Sequence, residues 1–204
     1  MKILAVDTTR KSASIFLITE DFNMVKTLKD DEKQSEFLMI NIDKVLKENS
    51  LNLADFDVFG CVTGPGSFTG IRVGIATIKG FSYGLNKKSI GVNVFDIVKD
   101  SIKDGTFLLE CTSSSCYFAE IKNGQVVNAG VVDKSEVGNF KNIFVLKDEH
   151  FLDEYAYTLN VLEDYSNLCI AKFGELSKAG KSMGCEPYYI QLSQAERNLE
   201  KKND

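Results

Sequence analysis

The run Gly64-Pro65-Gly66-Ser67-Phe68-Thr69-Gly70-Ile71-Arg72-Val73-Gly74 constrains the fold more than any other stretch of this chain. It follows an apolar, strand-like stretch, Val58–Val62, and opens a helix-like segment running to about Tyr83. Pro65 between two glycines dictates a tight turn, because proline fixes φ while glycine permits positive φ. Ser67 or Thr69 can then cap the helix by accepting a hydrogen bond from a free backbone N–H. Glycine recurs at Gly70, Gly74, Gly80 and Gly84. Each one costs a helix about 1 kcal/mol relative to alanine, so the pattern points to a bare helix face on which another backbone comes close. On spacing alone, a tight turn followed by helix packing is the plainer reading.

Counting excludes the two common phosphate loops. No glycine stands at the required distance before a Gly-Lys-Ser/Thr, so there is no Walker A loop. The dinucleotide fingerprint G-x-G-x-x-G also fails, because the third glycine, Gly70, comes one residue late. A strand–turn–helix of this kind can still hold an anion at its helix N-terminus.

The eleven-residue run, continuing through Ala76-Thr77-Ile78-Lys79-Gly80, resembles the signature of the TsaB (YeaZ-like) proteins. The likeness extends to Met1-Lys2-Ile3-Leu4-Ala5-Val6-Asp7-Thr8-Thr9 and Gln34-Ser35-Glu36. It returns in the tail at Pro187-Tyr188-Tyr189-Ile190 and Ser193-Gln194-Ala195-Glu196, with a weaker middle. The resemblance implies an α/β chain of actin-like ATPase (ASKHA) fold with two similar α/β subdomains, residues 1–100 and 101–204. It implies a cytoplasmic, non-catalytic scaffold in synthesis of threonylcarbamoyladenosine on tRNA, without a cofactor of its own. The implied partners are a TsaD-like catalytic subunit, as a heterodimer, and a TsaE-like ATPase. A homodimer is compatible with the chain in isolation, and tRNA would be met only through the complex.

Composition agrees. A net charge of −5 supplies no electrostatic footprint for nucleic acid. The opening apolar run stops at Asp7, too short for a signal peptide, and no stretch is long enough to span a membrane. The five cysteines contain no C-x-x-C pair and leave an odd one, which reads as reduced, mostly buried thiols. With His150 the single histidine, a His/Cys zinc site is not expected.

Periodicity divides the chain into two comparable halves. Residues 3–6, 13–19 and 24–28 read as a three-strand meander, followed by a helix from Ser35 to about Asn49. Leu38, Ile42, Val45 and Leu46 form the core stripe of that helix. Phe37, Met39 and Ile40 widen its apolar face beyond the needs of one core. Val58–Val62, the glycine-turn helix and a strand at 89–92 complete the first half. A second meander is expected at 107–110, 117–122 and 126–131, turned at Asn123-Gly124. Ile143–Leu146 reads as a strand, and residues 154–162 and 167–179 as helices.

The positions that would carry chemistry are degenerate. Asp7-Thr8-Thr9 keeps the acid and hydroxyls of a nucleotide-binding first turn, but Arg10-Lys11 follow and the turn has no glycine. Asp7 bracing its own turn is the plainer reading. In the sister family, TsaD, a His-x-x-x-His binds metal; the corresponding positions here are Val94 and Val98, which offer no lone pair. Where many relatives carry Asp-Ala-Arg-x-x-Glu-Val-Tyr, this chain has Glu110-Cys111-Thr112-Ser113-Ser114-Ser115-Cys116-Tyr117 and lacks the arginine. Ser67 or Ser113 with His150 lacks the G-x-S-x-G elbow of a hydrolase. The expected partner surface is therefore the paired helices, through Phe37, Met39, Ile40, Gly70 and Gly74. The alternative is an active ATPase or small-substrate kinase of the same fold, separated from a scaffold by measuring ATP binding.

Overall fold

The computed structural model describes residues 1–28, 34–147, 149–152, 157–180 and 184–190. Two five-stranded sheets are built to the same plan. The first comprises β1 (Ile3–Asp7), β2 (Ser14–Ile18), β3 (Asn23–Thr27), β4 (Val58–Val62) and β5 (Lys88–Val92) in the order β3-β2-β1-β4-β5. The second comprises β6 (Asp104–Glu110), β7 (Ser115–Lys122), β8 (Gln125–Asp133), β9 (Ile143–Leu146) and β10 (Leu159–Leu162) in the order β10-β9-β6-β7-β8. In each sheet the first three strands are antiparallel neighbours and the last two run parallel. The repeated order is the doubled α/β arrangement that the two meanders foreshadow.

Four helices accompany the sheets: α1 (Gln34–Glu48), α2 (Phe68–Leu85), the short α3 (Val94–Val98) and α4 (Tyr165–Lys178). Strands β1 and β4 are buried along their whole length, as expected for strands covered on both faces. Alternation sorts their side chains. Leu4, Val6, Phe59 and Cys61 join Leu38, Ile42 and Val45 of α1 and Ile71, Ile75 and Ile78 of α2 in one core. Gly60 points the other way, where a Cβ would lie 2.7 Å from the Phe173 ring of α4 and 3.0 Å from Ala5 Cβ. Phe16 meets Phe173 on that face at a centroid distance of 6.4 Å. Each fully buried phenylalanine contributes about 1.5–3 kcal/mol of transfer free energy.

Two expectations need correction. The helix expected at 154–162 is absent where the structure describes that stretch: Leu159–Leu162 is β10, paired in parallel with β9. Four residues of β-compatible sequence satisfy their backbone on β9, a tertiary gain that outweighs weak local helix propensity; residues 153–156 lie outside the described residues. The division at residue 100 also needs amendment. One compact unit is Met1–Ile97 with Ser166–Tyr188, and the other is built on Val98–Tyr165. The chain returns to the first unit because Phe173 fills the space that Gly60 leaves open. The Ser35 cap and the tail from residue 191 lie outside the described side chains.

Candidate functional site

The glycine turn is shaped by its neighbours within the first unit. Gly64 and Gly66 adopt φ of +122° and +152°, values that L side chains avoid. A Cβ on Gly66 would overlap the Thr9 carbonyl oxygen, and one on Gly64 would lie 2.6 Å from the Tyr188 carbonyl oxygen. Ser67 is the residue that caps α2, its hydroxyl accepting from Gly70 N–H at 3.2 Å. Ser67 N–H in turn donates to the Thr9 carbonyl at 2.7 Å. The turn is thus clamped to the loop that follows β1.

That loop contains Asp7, Thr8 and Thr9, all buried. Thr9 donates to Asp7 Oδ1 twice, from its N–H at 2.8 Å and its hydroxyl at 2.7 Å. The Thr8 hydroxyl donates to the Gly70 carbonyl at 2.6 Å. The Thr8 and Thr9 hydroxyls and the Thr9 N–H are engaged within the protein, and the Gly66 backbone lies against the Thr9 carbonyl. Asp7 accepts from the residue two positions on and so braces its own turn.

Topology places Glu110 at the end of β6 as it places Asp7 at the end of β1. The Lys134 ammonium stands 3.9 Å from Glu110 Oε1 and 5.3 Å from the Phe151 ring centroid, in a side chain only 7% exposed. Sequence reading did not single out Lys134, the cation that the structure places beside Glu110. Its signal is a lysine directly after the last strand of the meander.

The structure separates the five expected interface residues. Gly70 and Gly74 are buried on the inward side of α2. A Cβ on Gly74 would overlap Thr8 Oγ1 and lie 3.6 Å from Val6 Cγ2. Their bareness lets α2 lie close on β1, so they do not face a partner. Phe37, Met39 and Ile40 are 37, 51 and 61% exposed on α1. Beside them, α2 turns Thr69, Arg72, Ala76, Gly80, Tyr83 and Gly84 outward. A Cβ on Gly80 or Gly84 would meet nothing within 4 Å. Tyr83, 78% exposed, is the large side chain that sequence reading missed. Its signal is the position beside two outward glycines.

Val94 and Val98 are fully buried. Among the described residues, no three His, Cys, Asp or Glu side chains are grouped to hold a metal ion. Purified, untagged protein is expected to retain no stoichiometric iron or zinc after dialysis. Elemental analysis showing a near-equimolar metal would contradict this reading of Val94 and Val98.

A family model described as TsaD, tRNA N6-adenosine threonylcarbamoyltransferase, matches residues 30–106, which carry α1, β4, α2 and β5. The TsaB tRNA threonylcarbamoyladenosine biosynthesis protein of Buchnera aphidicola is 34% identical over 86 residues, 41% of this chain and 38% of that protein. Its Escherichia coli namesake is 28% identical over 93 residues, 46% of this chain and 40% of that protein. The matched stretches thus span about two fifths of these curated relatives. A solved Pseudomonas aeruginosa protein, described as similar to peptidase YEAZ, superposes with a TM-score of 0.70 at 17% identity. That match covers 93% of this chain and 99% of the other, and it bears on fold alone. The chain is thus similar to TsaB (YeaZ-like) proteins over the stretch that carries the glycine-turn helix, and it shares the fold of the Pseudomonas aeruginosa protein.

Proposed function

We propose that this chain is a non-catalytic subunit of the machinery that makes threonylcarbamoyladenosine on tRNA. It pairs with a TsaD-like catalytic subunit through the outer faces of α1 and α2. The observation that carries this reading is the contrast between two surfaces of the same unit. The loop at Asp7, Thr8 and Thr9 is closed on itself by four hydrogen bonds, counting Ser67 N–H to Thr9. Outward, α1 exposes Phe37, Met39 and Ile40, and α2 exposes Tyr83 and two glycines with open space over them. Exposed apolar side chains and a bare helix backbone suit close packing of a second helical pair.

The pair would recruit a TsaE-like ATPase, and tRNA would be bound by the complex, in keeping with the net charge of −5 on this chain. In the absence of its partner the same face is suited to a homodimer. The proposed compartment is the cytoplasm; no helix among the described residues is long and apolar enough to cross a membrane.

The competing reading, an active ATPase or small-substrate kinase, is separated by calorimetry with Mg-ATP. At about 0.1 mM protein, a dissociation constant of about 1 mM or weaker gives only shallow, unsaturated heats, and that is the expected result. Saturable binding in the micromolar range would favour the enzyme. Pairing itself is tested by mixing the chain with the TsaD-like subunit of the same cell and measuring the mass of the complex by light scattering. A one-to-one complex is expected; two non-interacting species would contradict the proposal.

A further inference from the structure

One pair of nucleophilic side chains has no part in the proposed interface. Cys61 lies on β4, fully buried, and Cys185 lies in the segment 184–188 with 2% of its surface exposed. Both belong to the core beneath α1 and α2. Cys61 is the register partner of Gly91 on β5, so its side chain shares a sheet face with the place where a Gly91 side chain would stand. That place is taken by the other segment: a Cβ on Gly91 would lie 3.0 Å from Cys185 Cα and 2.7 Å from the Gly184 carbonyl oxygen. Glycine at 91 thus lets Cys185 lie beside Cys61 in the same core. The segment is also held through Tyr188, whose ring meets Phe95 edge-on at a centroid distance of 6.2 Å. Tyr188 N–H donates to the Thr63 carbonyl at 2.8 Å, and Glu186 pairs with Lys79 at 2.6 Å in an exposed, solvent-screened contact.

We propose that Cys61 and Cys185 form a peroxide-sensitive thiol pair whose oxidation to an intramolecular disulfide fastens the 184–188 segment to β4. Access is from a groove of about 440 Å³ lined by Lys79, Lys88, Ser89, Cys185 and Glu186. The two sulfurs have different roles. The neighbouring Cys61 thiol, aided by Ser89 and Lys79, lowers the Cys185 pKa against the opposing effect of burial. The neighbouring Cys185 and burial push Cys61 up. Cys185 is therefore the sulfur that reacts first, because the thiolate is the nucleophile. Its thiolate attacks one peroxide oxygen, the O–O bond breaks, and the departing hydroxide takes a proton to leave as water. The product is a sulfenic acid on Cys185. Cys61 sulfur then attacks Cys185 Sγ, forming the S–S bond. The sulfenic oxygen leaves as a second water, carrying the Cys61 proton. Two thiols lose two electrons in total and one peroxide gains them.

The test uses the reduced full chain treated with stoichiometric hydrogen peroxide, followed by non-reducing peptide mapping. A Cys61–Cys185 cross-linked peptide, with the loss of two hydrogens reversed by dithiothreitol, is the expected product. The oxidised chain should melt about 5–15 °C above the reduced one, because the bond closes a long loop. In Cys61→Ala, dimedone should trap the sulfenic acid at Cys185, whereas wild type should give little adduct. Cys185→Ser, which keeps a hydroxyl beside Ser89, should yield neither product. Sulfinic acid at Cys185 without a link to Cys61 would overturn the proposal. So would a disulfide confined to Cys111 and Cys116, or five thiols still free after treatment.

Discussion

Gly74→Leu is expected to leave little folded protein, and Gly74→Ala to lower the melting temperature by about 5–15 °C. The cause is local. Even a methyl group at this position would occupy the place of Thr8 Oγ1. Pushing Thr8 aside breaks its 2.6 Å hydrogen bond to the Gly70 carbonyl, inside a fully buried loop. Overpacking of this kind costs about 1–3 kcal/mol. A buried polar group left without its partner adds about 1–3 kcal/mol. Against a typical total stability of about 5–15 kcal/mol, the larger leucine exceeds what the fold can absorb. The double variant Gly74→Ala with Thr8→Ala should recover part of the loss. Without Oγ1 the nearest Thr8 atom is Cβ at 3.5 Å, an ordinary contact. Strict additivity of the two single effects in urea denaturation would contradict the assigned contact.

The matching change one stripe away should do the opposite. Gly80→Leu is expected to fold with a melting temperature equal to or slightly above wild type, while weakening partner binding by at least about 100-fold, or about 2.7 kcal/mol. No atom lies within 4 Å of a Cβ at Gly80, and removing a helix glycine is worth up to about 1 kcal/mol. A leucine there would hold two helix backbones apart where the proposed partner approaches. Titration of the TsaD-like subunit, paired with a thermal melt of the free chain, reads both effects. Unchanged affinity would place the partner elsewhere; a collapsed melt would show that Gly80 packs within the chain.

The contrast between these two glycines shows what the sequence could and could not disclose. Spacing of four keeps Gly70 with Gly74, and Gly80 with Gly84, on common faces, and this is legible without coordinates. The six-residue step from Gly74 to Gly80 turns the helix by about 120° from one face to the other at 100° per residue. Deciding which face looks inward needs the partner strand. Thr8 and Val6 supply it here, from more than sixty residues earlier in the chain. The meanders, β4 and both long helices of the first unit were legible because alternation and helical period were strong and turn residues bounded them. β10 was not, because a four-residue strand owes its existence to pairing with β9 rather than to its own pattern. The same limit hid Lys134. Its approach to Glu110 depends on the register of the second meander, in which Ser115 pairs with Asp133.

If the chain works through its helical surface, the most direct measurement is threonylcarbamoyladenosine formation in a mixture reconstituted from the separate subunits. Two variants of this chain would be compared. Asp7→Asn keeps the acceptor oxygen for Thr9 while removing the carboxylate charge that nucleotide chemistry would need. Ile40→Glu places a charge on an exposed apolar position of α1 without disturbing the core. Asp7→Asn should retain at least about half the wild-type rate, less than 0.5 kcal/mol in activation free energy. Ile40→Glu should fall to the rate of the mixture lacking this chain, and recover in part when the catalytic subunit is raised to high excess. Loss of modification with Asp7→Asn, alongside full activity with Ile40→Glu, would contradict the scaffold role.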